Sequence, residues 1–146
     1  MSAAGYSGTP LWKKLGLKQG GRLLITDAPR DWRIAELPPG VSVERLGEEP
    51  AGPAGADQVL IAFFGERAVL ASALPALARR IFPDAALWVA WPRRAGGHDS
   101  DIGDRDIRDL ALPLGLVDVK VAAIDEDWSG LKLCWRRELR AGPIPE

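Results

Sequence analysis

Cysteine, histidine, methionine and tyrosine each occur only once among the 146 residues of this sequence. The lone cysteine, Cys134, excludes an internal disulfide and is typical of a reducing compartment. The lone histidine, His98, excludes a metal site built from several histidines, and no mixed set of ligands has a suitable spacing. No apolar run approaches the ~18 residues of a membrane-spanning helix. We therefore expect a cytoplasmic protein without a metal centre or a membrane span.

An excess of charge of either sign is also missing, since the net charge is -1 and the pI is near 5.9. This balance disfavours binding to nucleic acid or to a membrane surface. The N-terminus lacks the basic and apolar regions of a secretory signal. Weak nucleic-acid binding remains an alternative function, because the sequence contains clustered arginines that could contact phosphates. They are Arg79, Arg80, Arg93, Arg94, Arg136 and Arg137.

The composition is that of an ordinary globular protein, with 47% hydrophobic and 27% charged residues. The length suits one domain that buries roughly 70% of the surface of the unfolded chain. We expect a single Rossmann-like domain over residues 1–146, with a flexible leader at 1–8 and a polar tail at 137–146.

The central stretch of the chain runs from Phe82 to His98 and contains the apolar run Leu87–Trp91. A run that is apolar on both pleat faces is typical of a strand covered on both sides. Similar runs predict core strands at 22–26 and 58–64. Alternating patterns predict an edge strand at 41–46 and a C-terminal hairpin of strands at 117–124 and 131–135. Val117, Val119, Val121 and Ala123 are expected on one face.

Helical signals separate these strands. Thr9 is the predicted N-cap and Pro10 the first residue of a short helix, 11–15, which Gly16 closes. A helical turn is expected at 31–36. Apolar spacing predicts a helix at 66–81, which Pro75 should kink or restart.

A further helix at about 102–112 follows the central strand, with Asp99, Ser100 or Asp101 as its N-cap. The carboxylates around its start could instead form a metal-binding run. Capping and neighbouring arginines explain most of them without a metal.

This alternation predicts the fold class α/β, with a three-layer Rossmann-like architecture and a mostly parallel sheet ending in an antiparallel hairpin strand. The order resembles a shortened methyltransferase-type sheet. Such enzymes need glycines after the first strand, where the backbone approaches the cofactor closely. Here the segment is Asp27-Ala28-Pro29-Arg30, and proline lacks an N–H donor. We therefore predict no cofactor, neither S-adenosylmethionine nor NAD.

Three separated motifs resemble a bacterial family named domain of unknown function 3052. They are SGTPLWKKLGLK, LWVAWPRR and GLVDVKVAAIDEDWSGLKL, and the resemblance runs from Ser7 to Arg136. That family has no assigned activity, substrate or cofactor, so the resemblance implies a bacterial origin and no chemistry. This chain has Arg93 and Arg94 where the family has lysines, which preserves the charge but changes the donor geometry.

The candidate site lies at the rim, by which we mean the edge of the sheet where the carboxyl ends of the parallel strands meet. Open α/β sheets usually bind ligands there. The polar and aromatic residues expected to face a common crevice at the rim are Asp27, Trp32, Trp91, Arg93, Arg94, His98, Asp125 and Trp128.

Arg93 and Arg94 could clamp a phosphate or carboxylate, because guanidinium groups bind these anions bidentately. Ion pairs with Asp99, Asp101 or Asp125 are the ordinary alternative. Trp91 and Trp128 would form apolar walls for the ligand or contact a partner protein. Core packing is the alternative for both tryptophans.

His98 could act as a general base near neutral pH, although a solvated loop histidine is the more common situation. Ser129, His98 and Asp125 are the residue types of a catalytic triad. Nothing near Ser129 resembles the G-x-S-x-G nucleophile elbow, so we reject a serine hydrolase.

These observations predict a cytoplasmic, non-catalytic module that binds a partner protein or an anionic small ligand at the rim. The first alternative is a divergent enzyme that uses His98 or Asp27 for proton transfer. Because tryptophans are expected at the surface, a homodimer remains a further possibility.

Overall fold

Six strands form one sheet in a computed structural model of the chain, which describes residues 9–30, 32–34, 36–46, 58–93 and 100–144. The strands are β1 Arg22–Thr26, β2 Ser42–Leu46, β3 Val59–Phe63, β4 Ala86–Pro92, β5 Leu116–Ala123 and β6 Trp128–Trp135. Their order is β2-β1-β3-β4-β6-β5. The first four pair in parallel, and β6 is antiparallel to both neighbours. The predicted mostly parallel sheet with an antiparallel hairpin strand is confirmed.

The apolar runs become central strands because both faces of the sheet are covered. Along β4, Leu87, Val89 and Trp91 pack into the core beneath the long helices, whereas Trp88 and Ala90 pack into the core on the opposite face. We call these the helix-side core and the α1-side core. The helix-side core contains Leu60, Leu74, Ile107 and Trp135, and the α1-side core contains Leu15, Ile61, Trp32 and Ile124.

Helix α1 spans Leu11–Leu15 and lies on the α1-side core, where the Leu15 carbonyl accepts a 3.1 Å hydrogen bond from the Trp88 indole N–H. The predicted Thr9 N-cap is wrong. Pro10 occupies the cap position, and no side chain caps the helix. Gly16 ends the helix with a φ of 89°, as predicted, because this left-handed conformation suits glycine.

Helix α2 spans Arg67–Ile81 and continues through Pro75, so no restart occurs there. Helix α3 spans Asp104–Ala111 and has Gly103, not Asp101, at its N-cap. The Asp101 carboxylate instead accepts a 2.7 Å hydrogen bond from the Arg67 amide, one of the donors that the start of α2 leaves unsatisfied. None of the described helices is long and apolar enough to cross a membrane.

The helical turn predicted at 31–36 is wrong for the residues that can be described. Residues 32–34 have no helical structure, and Glu36 has a φ of 57°. The leader predicted at 1–8 lies outside the described residues. The tail contains a 3-10 turn at Arg137–Leu139, and Leu139 packs against the helix-side core.

The outer strand β5 differs from its prediction because it carries a β-bulge. Its pairing with β6 shifts between Asp118 and Lys120, which leaves Val119 as the extra residue. One inserted residue reverses the faces that follow it. Val117 therefore pairs with Cys134 and Val121 with Leu131, on opposite faces, and the predicted single valine face is wrong.

Candidate functional site

The turn between β5 and β6 lies beside the end of β4. Trp128 is the register partner of Pro92. The Arg93 amide donates a 2.8 Å hydrogen bond to the Asp127 carbonyl, and its guanidinium Nη1 donates at 2.9 Å to the Asp125 carbonyl. The structure thus brings Arg93 and Asp125 together at the rim.

The Asp125 carboxylate holds this turn in place. One oxygen accepts hydrogen bonds from the amides of Asp127 and Trp128, at 2.8 and 2.9 Å. The other accepts a 3.0 Å hydrogen bond from the indole N–H of Trp32. Aspartate commonly folds tight turns through such bonds to its own backbone. The Asp125 carboxylate therefore accepts hydrogen bonds from the turn and from Trp32. Arg93 hydrogen-bonds the main-chain carbonyl of Asp125 and not its carboxylate.

Three aromatic rings pack together on the α1-side of the rim. Phe63 makes edge-to-face contacts with Trp32, at 4.9 Å between centroids, and with Trp128, at 5.0 Å. This is a favourable geometry for aromatic pairs. Trp32 is only 8% exposed. Trp128 thus packs against Phe63, as the packing alternative expects, and its role as a ligand wall stays a prediction.

Trp91 lies on the other face of the sheet and is 9% exposed within the helix-side core. Alternate residues of a strand point to opposite faces. Trp91 therefore faces away from Trp128, which lies beside Pro92 in the register. The expectation that the two tryptophans wall a common crevice is wrong in this respect, since the sheet separates them.

A cleft of about 400 Å³ opens at the rim on the helix side. We call it the rim cleft. One wall comes from the end of β4, a second from the segment that leads into α3, and β6 adds Ser129. Its lining residues are Trp91, Pro92, Arg93, Ser100, Asp101, Ile102, Gly103, Asp106 and Ser129.

Arg67 partners both carboxylates of the α3 wall. Its amide donates to Asp101, and its Nε donates to Asp106 at 3.2 Å. Asp106 also accepts a 2.8 Å hydrogen bond from the Gly103 amide. That bond, together with the Arg67 guanidinium, holds the pKa of Asp106 below its usual value. Asp106 therefore stays ionised near neutral pH, and the Arg67 guanidinium partly neutralises its charge from outside the cleft.

Arg93 on the facing wall has a different environment. Its guanidinium hydrogen-bonds a main-chain carbonyl and makes no ion pair with a carboxylate of the described residues. Of the ion-pair partners expected for it, Asp101 and Asp125 are engaged elsewhere, and Asp99 lies outside the described residues. The guanidinium thus keeps donors available to a ligand.

The remaining predicted site residues are Asp27, Arg94 and His98. Asp27 is exposed at the end of β1, accepts a 2.9 Å hydrogen bond from the Thr26 hydroxyl, and does not line the rim cleft. Its φ of 62° is left-handed. Arg94 and His98 lie outside the described residues. Within the described ranges, no group of three or more His, Cys, Asp or Glu residues is placed to hold a metal ion.

No model of a known protein family matches the chain, and no curated protein matches it. Among solved structures, the chain is similar to a SAM-dependent methyltransferase from Aquifex aeolicus, at 14% identity and a TM-score of 0.60, covering 84% of this chain and 86% of that one. It is also similar to a LepI variant in complex with SAH and a substrate analogue, at 13% identity and a TM-score of 0.53, covering 86% of this chain and 39% of that one.

These similarities show that the chain has a methyltransferase-like Rossmann fold. At such low identity they show the fold alone. The resemblance to domain of unknown function 3052 and the bacterial origin stay predictions.

The segment after β1 does not fit the usual binding of S-adenosylmethionine. It contains no glycine from Asp27 to Arg30, and Pro29 has no N–H to offer. Trp32, two positions after Arg30, packs against Phe63 and hydrogen-bonds Asp125. The chain's own side chains thus occupy the α1-side of the rim next to this segment.

Proposed function

We propose that this protein is a cytoplasmic, non-catalytic module that binds a small anionic ligand in the rim cleft, with Arg93 as its anchor. The observation that carries the proposal is the position of the Arg93 guanidinium. Arg93 lines the cleft, and its guanidinium hydrogen-bonds the Asp125 carbonyl and makes no ion pair with a described carboxylate. The single cysteine supports the cytoplasmic location.

The guanidinium is suited to this role because its planar set of donors matches a carboxylate or a phosphate. One of its nitrogens already donates to Asp125 at 2.9 Å, which reduces the freedom that a ligand would have to remove. Trp91 and Pro92 supply apolar surface beside it. Small-ligand sites commonly combine apolar walls with a few placed polar groups.

The opposite wall restricts the ligand. Asp101 and Asp106 line the cleft there, and both are partnered by Arg67. A second anionic group directed at these carboxylates would be repelled. We therefore expect a ligand with one anionic group toward Arg93 and a neutral or cationic part toward Asp101.

The catalytic alternative has less support from the geometry. Asp27, one of its two proton-transfer candidates, is exposed and does not line the cleft. The other candidate, His98, lies outside the described residues. Weak nucleic-acid binding is less supported too, because Arg80 is only 7% exposed.

Thermal unfolding in the presence of a panel of carboxylates, organic phosphates and nucleotides tests the proposal. A ligand at 100 times its dissociation constant should stabilise the wild-type protein by about 2.7 kcal/mol. Arg93→Gln should abolish the shift. Arg105→Gln, which changes an exposed arginine of α3 that does not line the cleft, should retain it.

A panel that stabilises neither the wild-type protein nor the control would contradict the small-ligand proposal. A partner protein captured by the wild type and equally by Arg93→Gln would move the function away from the cleft. Turnover of any bound compound would replace the non-catalytic assignment with an enzymatic one.

A further inference from the structure

The five lysines of the chain are confined to two segments. Lys13, Lys14 and Lys18 lie on α1 or just after it, and Lys120 and Lys132 lie on β5 and β6. Lys120 and Lys132 are direct register partners across the hairpin. Side chains that are directly opposite in an antiparallel pair lie on the same face and close together. The fold therefore places two ammonium groups side by side.

That face is the one that α1 covers. The Lys120 ammonium lies 5.9 Å from the ring centroid of Trp88, a residue of the α1-side core. A Cβ added to Gly16, at the end of α1, would lie 3.2 Å from the Lys132 ammonium nitrogen. Lys14 reaches the same hairpin, with its Nζ 3.5 Å from the Ala123 carbonyl oxygen. We call Lys14, Lys120 and Lys132 the lysine cluster.

No described carboxylate balances the charges of Lys120 and Lys132 on this face. Neither Lys120 nor Lys132 makes an ion pair with a described carboxylate. Asp118 precedes the bulge, pairs with Leu133 on the helix-side face, and accepts a 2.9 Å hydrogen bond from Arg108. Like charges in direct opposition destabilise a sheet. The hairpin thus retains an arrangement that costs stability in the absence of an anion.

Burial and neighbouring charges also lower the pKa values of two lysines in the cluster, Lys14 and Lys132. Burial lowers the pKa of Lys132, and the charge of Lys120 lowers it further, whereas Cys134 acts in the opposite direction. Burial lowers the pKa of Lys14 as well, followed by the charges of Lys120 and Arg93. Arg93 also lines the rim cleft on the opposite face of the sheet, so its charge acts on a residue of the cluster. A test must therefore separate these two sites.

We propose that the lysine cluster is a second anion site, which binds the phosphate group of a small molecule between α1 and the β5–β6 hairpin. Ammonium groups bind phosphate as compact point charges with several donors each. Lys120 and Lys132 supply two such groups from adjacent strands, and Lys14 lies beside the same hairpin on α1. Arg93 is not part of this site, and the proposal does not depend on the ligand proposed for the rim cleft.

Pyrophosphate is the probe, titrated calorimetrically into the full chain at low ionic strength. Lys120→Gln and Lys132→Gln should each weaken binding by about threefold to fivefold. Lys18→Gln removes an exposed lysine outside the cluster and should change binding less than twofold. In anion-free buffer, the two cluster variants should melt at a higher temperature than the wild type, because one of two opposed charges is gone.

Arg93→Gln separates the two sites. Retained pyrophosphate binding in Arg93→Gln, together with loss in the cluster variants, supports the lysine cluster whatever the result at the rim cleft. Loss in Arg93→Gln alone places the anion in the rim cleft and overturns the cluster. Equal losses in Lys18→Gln and Lys132→Gln show a general charge effect and also overturn it, as does unchanged binding in both cluster variants.

Discussion

The indole nitrogen of Trp32 donates a 3.0 Å hydrogen bond to the carboxylate of Asp125, 93 positions further along the chain. This bond ties the segment after β1 to the β5–β6 turn at the rim. The same carboxylate accepts hydrogen bonds from the amides of Asp127 and Trp128. One aspartate thus organises both a local turn and a long-range contact, and Arg93 is oriented by the main chain of that turn.

Asp125→Ala should destabilise the protein by about 2–3 kcal/mol, since it removes the acceptor of three hydrogen bonds. Trp32→Phe keeps a ring against Phe63 and removes only one of those bonds, so it should cost about 1 kcal/mol. Urea unfolding midpoints measure both effects. Equal losses in the two variants would show that the hydrogen bonds from the amides of the turn do not contribute to stability.

Asp27→Gly should be more stable than Asp27→Ala by about 1 kcal/mol. The position has a φ of 62°, and this left-handed conformation costs ~1–2 kcal/mol for a residue with a Cβ. Both variants lose the hydrogen bond from Thr26, so their difference isolates the backbone term. Denaturation of the two variants in parallel gives this difference. If alanine is the more stable residue here, the backbone at position 27 is not left-handed in solution.

Arg108→Gln should lose less stability than the wild type as the pH falls into the acid range. The hydrogen bond from Arg108 lowers the pKa of Asp118 in the folded state. A carboxylate with a lowered folded pKa contributes stability that is present above its unfolded value of about 3.9 and is lost as the pH falls through the folded value.

Unfolding midpoints from pH 6 down to about pH 2 should therefore fall more steeply in the wild type than in Arg108→Gln. Because both side chains are partly exposed, 1 M salt should reduce the difference. Arg105→Gln serves as the control and should follow the wild type. An unchanged slope in Arg108→Gln would exclude this pair as a source of the acid sensitivity.

Gly130→Ala should destabilise the protein by about 1–3 kcal/mol through overpacking. A Cβ there would lie 2.7 Å from Ile124 and 3.0 Å from Trp88 in the α1-side core. Gly65→Ala is the matched control, because nothing lies within 4 Å of its added Cβ and its φ is not positive. Thermal unfolding of the pair checks the prediction, and a neutral Gly130→Ala would mean that the hairpin shifts freely over Trp88.

Much of the sheet could be predicted because its signals are local. The apolar run at Leu87–Trp91 requires a strand covered on both faces, whatever lies next to it. Gly16 marks the end of α1 because few other residues adopt its backbone conformation. The meeting of Arg93 with the Asp125 turn follows from the common rim of parallel strands.

The errors concern partners that are distant in the chain. Asp101 has the residue type and the spacing of an N-cap for α3, yet it binds the amide of Arg67 on α2. The bulge at Val119 arises from the pairing with β6 and reverses the valine faces. The lysine cluster gives no signal in the sequence, because Lys120 and Lys132 become neighbours only through the register of the hairpin.

The sequence by itself therefore determined the class of fold, the central strands and the edge of the sheet where polar groups gather, because periodicity and backbone preference act over a few residues. Only the tertiary structure decided that Trp91 and Trp128 face opposite sides, that Asp125 binds Trp32, and that Arg93 lines the rim cleft. These relations depend on strand register and long-range packing, which the burial of the whole chain selects.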